Sequence, residues 1–123
     1  WEALYYLSIS WLNKNFRYEQ DHLHPYDRFD GNKPIPVSME DWRKWRSNRN
    51  RLPNLHLLVG RSNASKSDMR LVDYYNDMKD TEKVEFYEQA FIPKYISLEF
   101  EKFDEFYEKR KAILTDKLRE LLG

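Results

Sequence analysis

Residues 54–68, NLHLLVGRSNASKSD, form the stretch that decides the fold. The apolar run 54–59 has the length of a short strand, and Gly60 permits a turn after it. Asn63 is a favourable helix N-cap, so the sequence predicts a helix from Asn63 to about Asn76. A strand, a turn and a helix are therefore expected in succession.

A second predicted strand lies upstream of this stretch. Residues 16–23, FRYEQDHL, alternate aromatic and polar residues, as a half-buried strand does. Prolines and a glycine in residues 24–37 indicate a loop. Ser38 then opens a short helix that carries Trp42 and Trp45 on one face. Two strands, a long insert between them and a following helix predict a ββα unit.

The remaining segments favour helices. Residues 1–15 place apolar side chains at helical spacing. Asp80 or Thr81 is predicted to cap a further helix that Pro93 ends, and a long helix is predicted from Ser97 onward. The apolar side of this last helix, expected in the core, contains Phe100, Phe103, Phe106, Tyr107, Ile113, Leu114, Leu118 and Leu121.

The expected fold class is α+β and mostly α, with a two-stranded hairpin and a helix surrounded by additional helices. We expect one domain over residues 1–123, divided into an N-terminal helix at 1–15, a ββα core at 16–76 and C-terminal helices at 77–123. Because the chain begins at Trp1 and not at Met, we expect it to be a domain excised from a larger protein.

Composition excludes several classes of protein. Hydrophobic residues make up 41% of the 123-residue chain, which argues against disorder. The chain has no cysteine, so disulfides, thiolate catalysis and cysteine-based zinc sites are excluded. No apolar run approaches the roughly 20 residues of a membrane helix, and no signal peptide is visible. We expect a cytoplasmic protein with no membrane partner.

Charge is segregated along the chain although the formal net charge is zero. Residues 41–70 contain eight Lys or Arg and two Asp, a net charge of +6, whereas residues 73–108 contain four Lys and eleven Asp or Glu, a net charge of −7. A basic surface facing phosphate can therefore coexist with an acidic flank. Ordinary amphipathic helices with solvated faces would give the same segregation.

Asp21 and His22, at the end of the first predicted strand, are candidates for one site. A carboxylate suits a hard divalent cation such as Mg²⁺ or Mn²⁺. An imidazole suits general-base work near neutral pH. Neighbours on a regular strand point to opposite faces, so both groups reach one pocket only at a strand end or bulge.

The second group of candidates comprises Asn54, Asn63 and Lys66. Their structural interpretation is simple: Asn63 caps a helix, Lys66 is solvated and the intervening leucines are core. Taken together with Asp21 and His22, however, their order and spacing become more specific.

This order resembles the signature of the HNH, or ββα-metal, endonucleases. The nine-residue step from Asn54 to Asn63 is similar to the HNH module of CRISPR effector nucleases. A closer resemblance, over roughly residues 16–114, is to the HNH half of GmrSD-like modification-dependent restriction enzymes, in which an NTP-binding domain precedes it. The positions that carry the resemblance are Asp21, His22, Pro25, Asn54, Leu55, Leu57, Leu58, Asn63 and Lys66.

The resemblance implies a metal-dependent DNA endonuclease in a restriction or phage-defence system. One divalent cation, Mg²⁺ or Mn²⁺, would be held by Asp21 and Asn63, and His22 would activate the water that attacks the phosphate. Asn54 would hold the loop between the strands or orient the His22 ring. Lys66 would contact phosphate or brace the loop. DNA and an NTP-binding N-terminal domain of the same polypeptide are the implied partners.

Residues outside the core motif are expected to contact the DNA backbone, with a solvated helix face as the alternative. His56 is expected to be no metal ligand, and it faces either the site or the solvent. Two other functions stay open: a catalytically silent DNA-binding or scaffold domain, and a helical protein–protein module in which the motifs are accidental. The candidate DNA contacts are His24, Arg43, Lys44, Arg46, Arg49, Arg51 and Arg61. Of these, His24 is a candidate phosphate or metal contact, with a surface or packing role as the alternative.

Overall fold

The computed structural model describes residues 17–59 and 69–123, together with residues 3, 7, 8, 12 and 15. This described part is mostly helical, with one two-stranded antiparallel sheet and four α-helices, so the α+β, mostly α prediction is confirmed at that level. None of its helices combines the length and the apolarity needed to cross a membrane. Four predicted features lie outside the described residues, wholly or in large part: the N-terminal helix, Arg61, Asn63 and Lys66.

Both predicted strands are present. Strand β1 spans Tyr18–His22 and strand β2 spans Leu55–Val59, and they pair with Tyr18 opposite Val59 and His22 opposite Leu55. Strand β2 begins one residue later than predicted, because Asn54 belongs to the 3-10 turn Leu52–Asn54. The register places Asp21 directly opposite His56.

Helix α1, Met39–Asn48, lies in the insert between the strands. Its N-cap is Ser38, whose hydroxyl accepts a hydrogen bond from the Asp41 backbone N–H at 3.1 Å, as the capping pattern predicted. Trp42 and Trp45 are both buried. The helix therefore anchors the insert to the core through its aromatic face.

Helix α2 spans only Leu71–Asn76, so the prediction of one helix continuing from Asn63 to Asn76 is wrong. Arg70 lies in extended backbone, with ψ 146°, immediately before the helix. Its guanidinium binds Asp73 in the first turn at 2.9 Å, and Leu71, the first residue of the helix, is buried in the core. The helix therefore begins at a residue, Leu71, whose side chain is fixed in the core.

Helix α3 spans Asp80–Gln89, and its N-cap is Lys79 rather than the predicted Asp80 or Thr81. The Glu82 carboxylate accepts a hydrogen bond from the Lys79 backbone N–H at 3.0 Å. An acidic side chain in the first turn thus supplies the cap from inside the helix, which moves the boundary by one residue.

Helix α4, Phe103–Leu122, follows a 3-10 turn at Phe100–Lys102 and begins later than the predicted Ser97. The aromatic side chains of this region are buried as predicted, but Leu121 is exposed. Two clusters make up most of the described core. One contains Phe29, Val37, Trp42, Trp45, Phe100, Phe103 and Tyr107, and the other contains Leu23, Leu71, Phe86, Ala90, Ile92, Leu98 and Phe106.

Candidate functional site

The Asp21 carboxylate and the His56 imidazole meet across the hairpin. His56 Nε2 lies 3.0 Å from Asp21 Oδ2, and the two residues are only 3% and 9% exposed. The carboxylate can only accept, so the imidazole N–H donates. The His56 ring also packs edge-on against Phe86, with 5.9 Å between ring centroids. Of the two orientations left open for His56, the solvent-facing one is therefore wrong.

Tyr74, on α2, stacks on Phe86 with ring centroids 5.8 Å apart, and Phe86 is the ring against which His56 packs. Burial raises the pKa of Tyr74, and the negative charge of Asp21 raises it further. The segment that joins β2 to α2 contains Asn63 and lies outside the described residues. The predicted meeting of Asp21 with Asn63 therefore stays a prediction.

His22, the last residue of β1, is half-buried and has different neighbours from Asp21. Its Nε2 lies 2.7 Å from Asn50 Oδ1, and its ring packs edge-on against Tyr26 with centroids 5.5 Å apart. Regular pairing through His22 directs the side chains of adjacent residues to opposite faces of the hairpin. The imidazole is thus held at the strand end, on the side of the inter-strand loop.

Asn54 is fully buried and makes three hydrogen bonds to the loop backbone. Its Oδ1 accepts from the His24 N–H at 2.9 Å, and its Nδ2 donates to the carbonyl oxygens of His24 at 3.1 Å and Arg49 at 2.9 Å. The Leu23 N–H also donates to the Asn54 carbonyl at 2.8 Å. These contacts are those of a loop brace, one of the two roles expected for Asn54.

His24 is not a surface residue, which corrects its place among the predicted DNA contacts. The side chain is 1% exposed, and its ring packs edge-on against Phe100, Phe103 and Phe106 at centroid distances of 6.1, 5.4 and 4.8 Å. A phosphate could reach this ring only if the aromatic core opened. The structure therefore removes His24 from the DNA-facing set.

Arg49 is also held within the protein, contrary to its predicted role. Its side chain is 14% exposed, binds Asp30 at 2.8 Å and the Tyr26 hydroxyl at 2.8 Å, and lies over the Tyr26 ring at 3.8 Å. Arg49 therefore has structural contacts that the sequence pattern does not reveal. Arg51 is exposed; burial raises the pKa of Tyr107, and the positive charge of Arg51 acts against that rise.

Three basic residues of α1 remain exposed, as a DNA-facing surface requires. Lys44 and Arg46 form only loose ion pairs, at 3.8 Å to Asp104 and 3.7 Å to Asp30, in which every side chain is about half exposed. Exposed pairs of this kind contribute little stability and exchange readily. The exposed residues are Arg43, Lys44 and Arg46.

Arg110 is a structurally important residue that the sequence analysis missed. It is fully buried on α4 and donates to the Ala90 carbonyl from Nε at 3.0 Å and Nη2 at 2.9 Å, and to the Leu52 carbonyl from Nη1 at 3.0 Å. Burial lowers the pKa of Arg110 to about 9. The guanidinium thereby ties α4 to the turn that presents Asn54.

The donor set available for a cation is small but suitable for a hard one. Among the described residues, no group of three or more His, Cys, Asp or Glu side chains is placed to hold a metal ion. Mg²⁺ sites of phosphoryl-transfer enzymes commonly use one or two carboxylates and fill the remaining positions with water and phosphate oxygens. Asp21 fits that requirement, since one of its oxygens faces His56 and a carboxylate has several acceptor positions.

Comparisons with known proteins do not add a family to this picture. No protein-family model matches the chain. A search of curated proteins likewise found no match.

Proposed function

We propose that this chain is a metal-dependent DNA endonuclease domain of the HNH, ββα-metal type. The observation that carries the proposal is the hairpin, in which β1 ends with a buried carboxylate, Asp21, followed by a half-buried imidazole, His22. Tyr74 of α2 stacks on Phe86, the ring that His56 also contacts, so α2 lies near the Asp21–His56 pair, in keeping with a ββα arrangement. The alternative of a helical module with accidental motifs would be supported by the absence of a ββα hairpin over residues 16–76; among the described residues of that range, β1 and β2 pair and α2 is present.

Asp21 acts as the protein's anionic cation ligand in this proposal. The His56 N–H occupies one side of the carboxylate and fixes its orientation, as partners of metal-ligating groups do. Asn63 supplies a second oxygen from the segment after β2. When bound, Mg²⁺ or Mn²⁺ would polarise the scissile phosphate and offset the negative charge that develops during hydrolysis.

His22 acts as the general base. A phosphate bound at the end of β1 would lie between the two faces of the hairpin, with Asp21 on one side and His22 on the other. The imidazole takes a proton from water as that water attacks phosphorus in line, and the 3′ oxygen leaves. Asn54 holds the loop backbone at Arg49, and the next residue of that loop, Asn50, contacts His22.

Nonspecific phosphate contacts are assigned to the exposed basic residues of α1. Each phosphate neutralised by a side chain adds about 0.9 to the slope of log affinity against log salt concentration. Arg43→Ala is expected to reduce that slope for duplex DNA by about one unit without lowering stability. An unchanged slope would remove α1 from the DNA-facing surface.

The resemblance to modification-dependent restriction enzymes extends the proposal to a larger polypeptide with an NTP-binding region, acting in phage defence. Cleavage by such a polypeptide should respond to nucleoside triphosphate, and the response should disappear in His22→Ala. Cleavage of phage DNA at a rate that none of the four nucleoside triphosphates changes would contradict only the proposed dependence on a nucleoside triphosphate.

Plasmid nicking tests the activity itself. Purified protein with Mg²⁺ or Mn²⁺ should convert supercoiled plasmid to the open-circle form, and His22→Ala and Asp21→Asn should each abolish conversion. Asn76→Ala, an exposed polar change at the end of α2, is the matched control. Undiminished nicking by a folded His22→Ala protein would contradict the assignment of the base.

A catalytically silent DNA-binding scaffold is the second candidate, and one observation favours it. Asp21 already has a buried protein partner in His56, as a purely structural carboxylate would. Calorimetry separates the candidates, because a scaffold binds DNA without Mn²⁺, whereas the nuclease binds Mn²⁺ and loses that binding in Asp21→Asn.

A further inference from the structure

The turn after α1 is fixed against the end of β1 from two sides. The Arg49 carbonyl accepts a hydrogen bond from buried Asn54, and the Arg51 N–H donates to the Asn48 carbonyl at 3.0 Å. The Arg49 guanidinium stacks on Tyr26. The next residue in the turn, Asn50, is therefore presented to the β1 end by a backbone that has little freedom to move.

Asn50 determines which nitrogen of His22 carries the proton. Its Oδ1, 2.7 Å from His22 Nε2, can only accept a hydrogen bond, so Nε2 must be the donor. In the neutral imidazole one nitrogen carries hydrogen and the other a basic lone pair. The bond therefore selects the Nε2–H tautomer and leaves the lone pair on Nδ1.

Tyr26 restricts the same ring from a second direction. Its ring meets the His22 ring edge-on at 5.5 Å, and its hydroxyl is held by Arg49 at 2.8 Å. A half-turn of the imidazole about its Cβ–Cγ bond would put a carbon where Nε2 lies and would break the bond to Asn50. Position and tautomer are consequently set together.

We propose that Asn50 is a positioning residue that locks His22 in the Nε2–H tautomer, so that Nδ1 is the atom that takes the proton from the attacking water. The catalytic part rests on the proposed nuclease function, whereas the tautomer is a property of the folded protein alone. Asn50 acts through His22 and touches no reacting atom. Asn50 itself is exposed, and its side-chain oxygen is directed to the half-buried His22 ring.

Proton and nitrogen NMR of the imidazole ring tests the tautomer without any activity measurement. In the wild type at a pH where His22 is neutral, the spectrum should show the Nε2–H form with a slowly exchanging ring proton. Asn50→Ala should speed that exchange and mix the two tautomers. Asn50→Asp, which keeps an acceptor oxygen at the same position, should retain the wild-type form, and Asn76→Ala should change nothing.

Steady-state nicking kinetics supplies the second readout. Asn50→Ala should lower kcat by about 10- to 100-fold, the range seen when the partners that orient metal-site ligands are removed, with KM for DNA nearly unchanged. Asn50→Asp should recover most of that loss. A structural effect alone would instead appear as a lower free energy of unfolding and would not be rescued by a carboxylate.

The outcomes separate this inference from the nuclease proposal. A wild-type spectrum with the proton on Nδ1, or an Asn50→Ala protein with unaltered ring-proton exchange and unaltered kcat, would overturn the role of Asn50. An inactive wild type in which Asn50→Ala still frees the Nε2–H proton would overturn the nuclease proposal and the catalytic half of this inference, and would support the tautomer lock.

Discussion

Asp21 and His56 are buried partners on facing strands, joined by a 3.0 Å hydrogen bond between Oδ2 and Nε2. The bond uses one oxygen of the carboxylate that we propose as the cation ligand. It therefore connects the stability of the hairpin to the orientation of the carboxylate, and changes at His56 should affect both properties.

His56→Phe tests this connection, because it preserves the ring contact with Phe86 and removes only the N–H donor. Loss of a donor to a buried carboxylate should lower the free energy of unfolding by about 1–3 kcal/mol, measured by urea denaturation. Mn²⁺ affinity should fall by about 10- to 100-fold in calorimetry. The matched Asp21→Asn protein keeps an acceptor for His56 and should lose Mn²⁺ binding with a smaller loss of stability. Wild-type stability and Mn²⁺ affinity in His56→Phe would contradict the account.

Asn54→Asp and Asn54→Ala form a pair that tests the loop brace. The aspartate keeps the acceptor for the His24 N–H but turns a carboxylate oxygen toward the carbonyls of His24 and Arg49. A buried charge facing acceptors costs more than missing hydrogen bonds, so Asn54→Asp should lose about 3 kcal/mol or more and should be less stable than Asn54→Ala. Urea unfolding measures the free energy of unfolding of both proteins. An Asn54→Asp protein more stable than Asn54→Ala would contradict the hydrogen-bonding role assigned to Asn54.

Arg110→Lys tests the buried guanidinium. Arginine reaches the carbonyls of Ala90 and Leu52 with three N–H groups, and a lysine ammonium on a flexible stem cannot reproduce that fork. With a pKa of about 9, Arg110 is still charged at neutral pH. We expect Arg110→Lys to lower the free energy of unfolding by about 2–4 kcal/mol. A lysine protein as stable as the wild type would show that the fork is dispensable.

Tyr74 predicts a contribution to stability that depends on alkaline pH. Burial, with the charge of Asp21 in second place, raises its pKa in the folded state above the ordinary value of 10.0. The unfolded chain therefore loses this proton first, and the contribution is present below about pH 10 and is lost as the pH rises through the folded-state pKa. Unfolding at several pH values should show a steeper alkaline loss for the wild type than for Tyr74→Phe. Parallel pH profiles would contradict this.

The sequence correctly predicted those features of the fold that depend on interactions between residues close together in the chain. The Ser38 cap, the two strands and the buried aromatic face of α4 all follow from spacing along the chain, because the groups that decide them are a few residues apart. The late start of α2 at Leu71 was missed because helix boundaries also depend on which side chain finds the core.

The partners of the site residues could not be predicted in the same way. The Asp21–His56 pair depends on strand register, which joins residues 35 positions apart, and Arg110 reaches Leu52 across 58 positions. The sequence pattern placed His24 among the DNA contacts at the surface. Its aromatic neighbours, however, come from α4 and the turn before it. Arg49 likewise adds to the positive charge counted over residues 41–70. In the fold, however, its guanidinium forms an ion pair with Asp30.

The most direct measurement of the central claim is an anomalous-difference map from a crystal of this protein soaked in Mn²⁺. The account predicts one strong peak within coordination distance of both the Asp21 carboxylate and the Asn63 side-chain oxygen, on the side of Asp21 away from His56, and no peak in an Asp21→Asn crystal. A well-ordered, fully soaked crystal with no peak at Asp21, or with Asn63 directed away from it, would contradict the cation site and the hydrolytic function built on it.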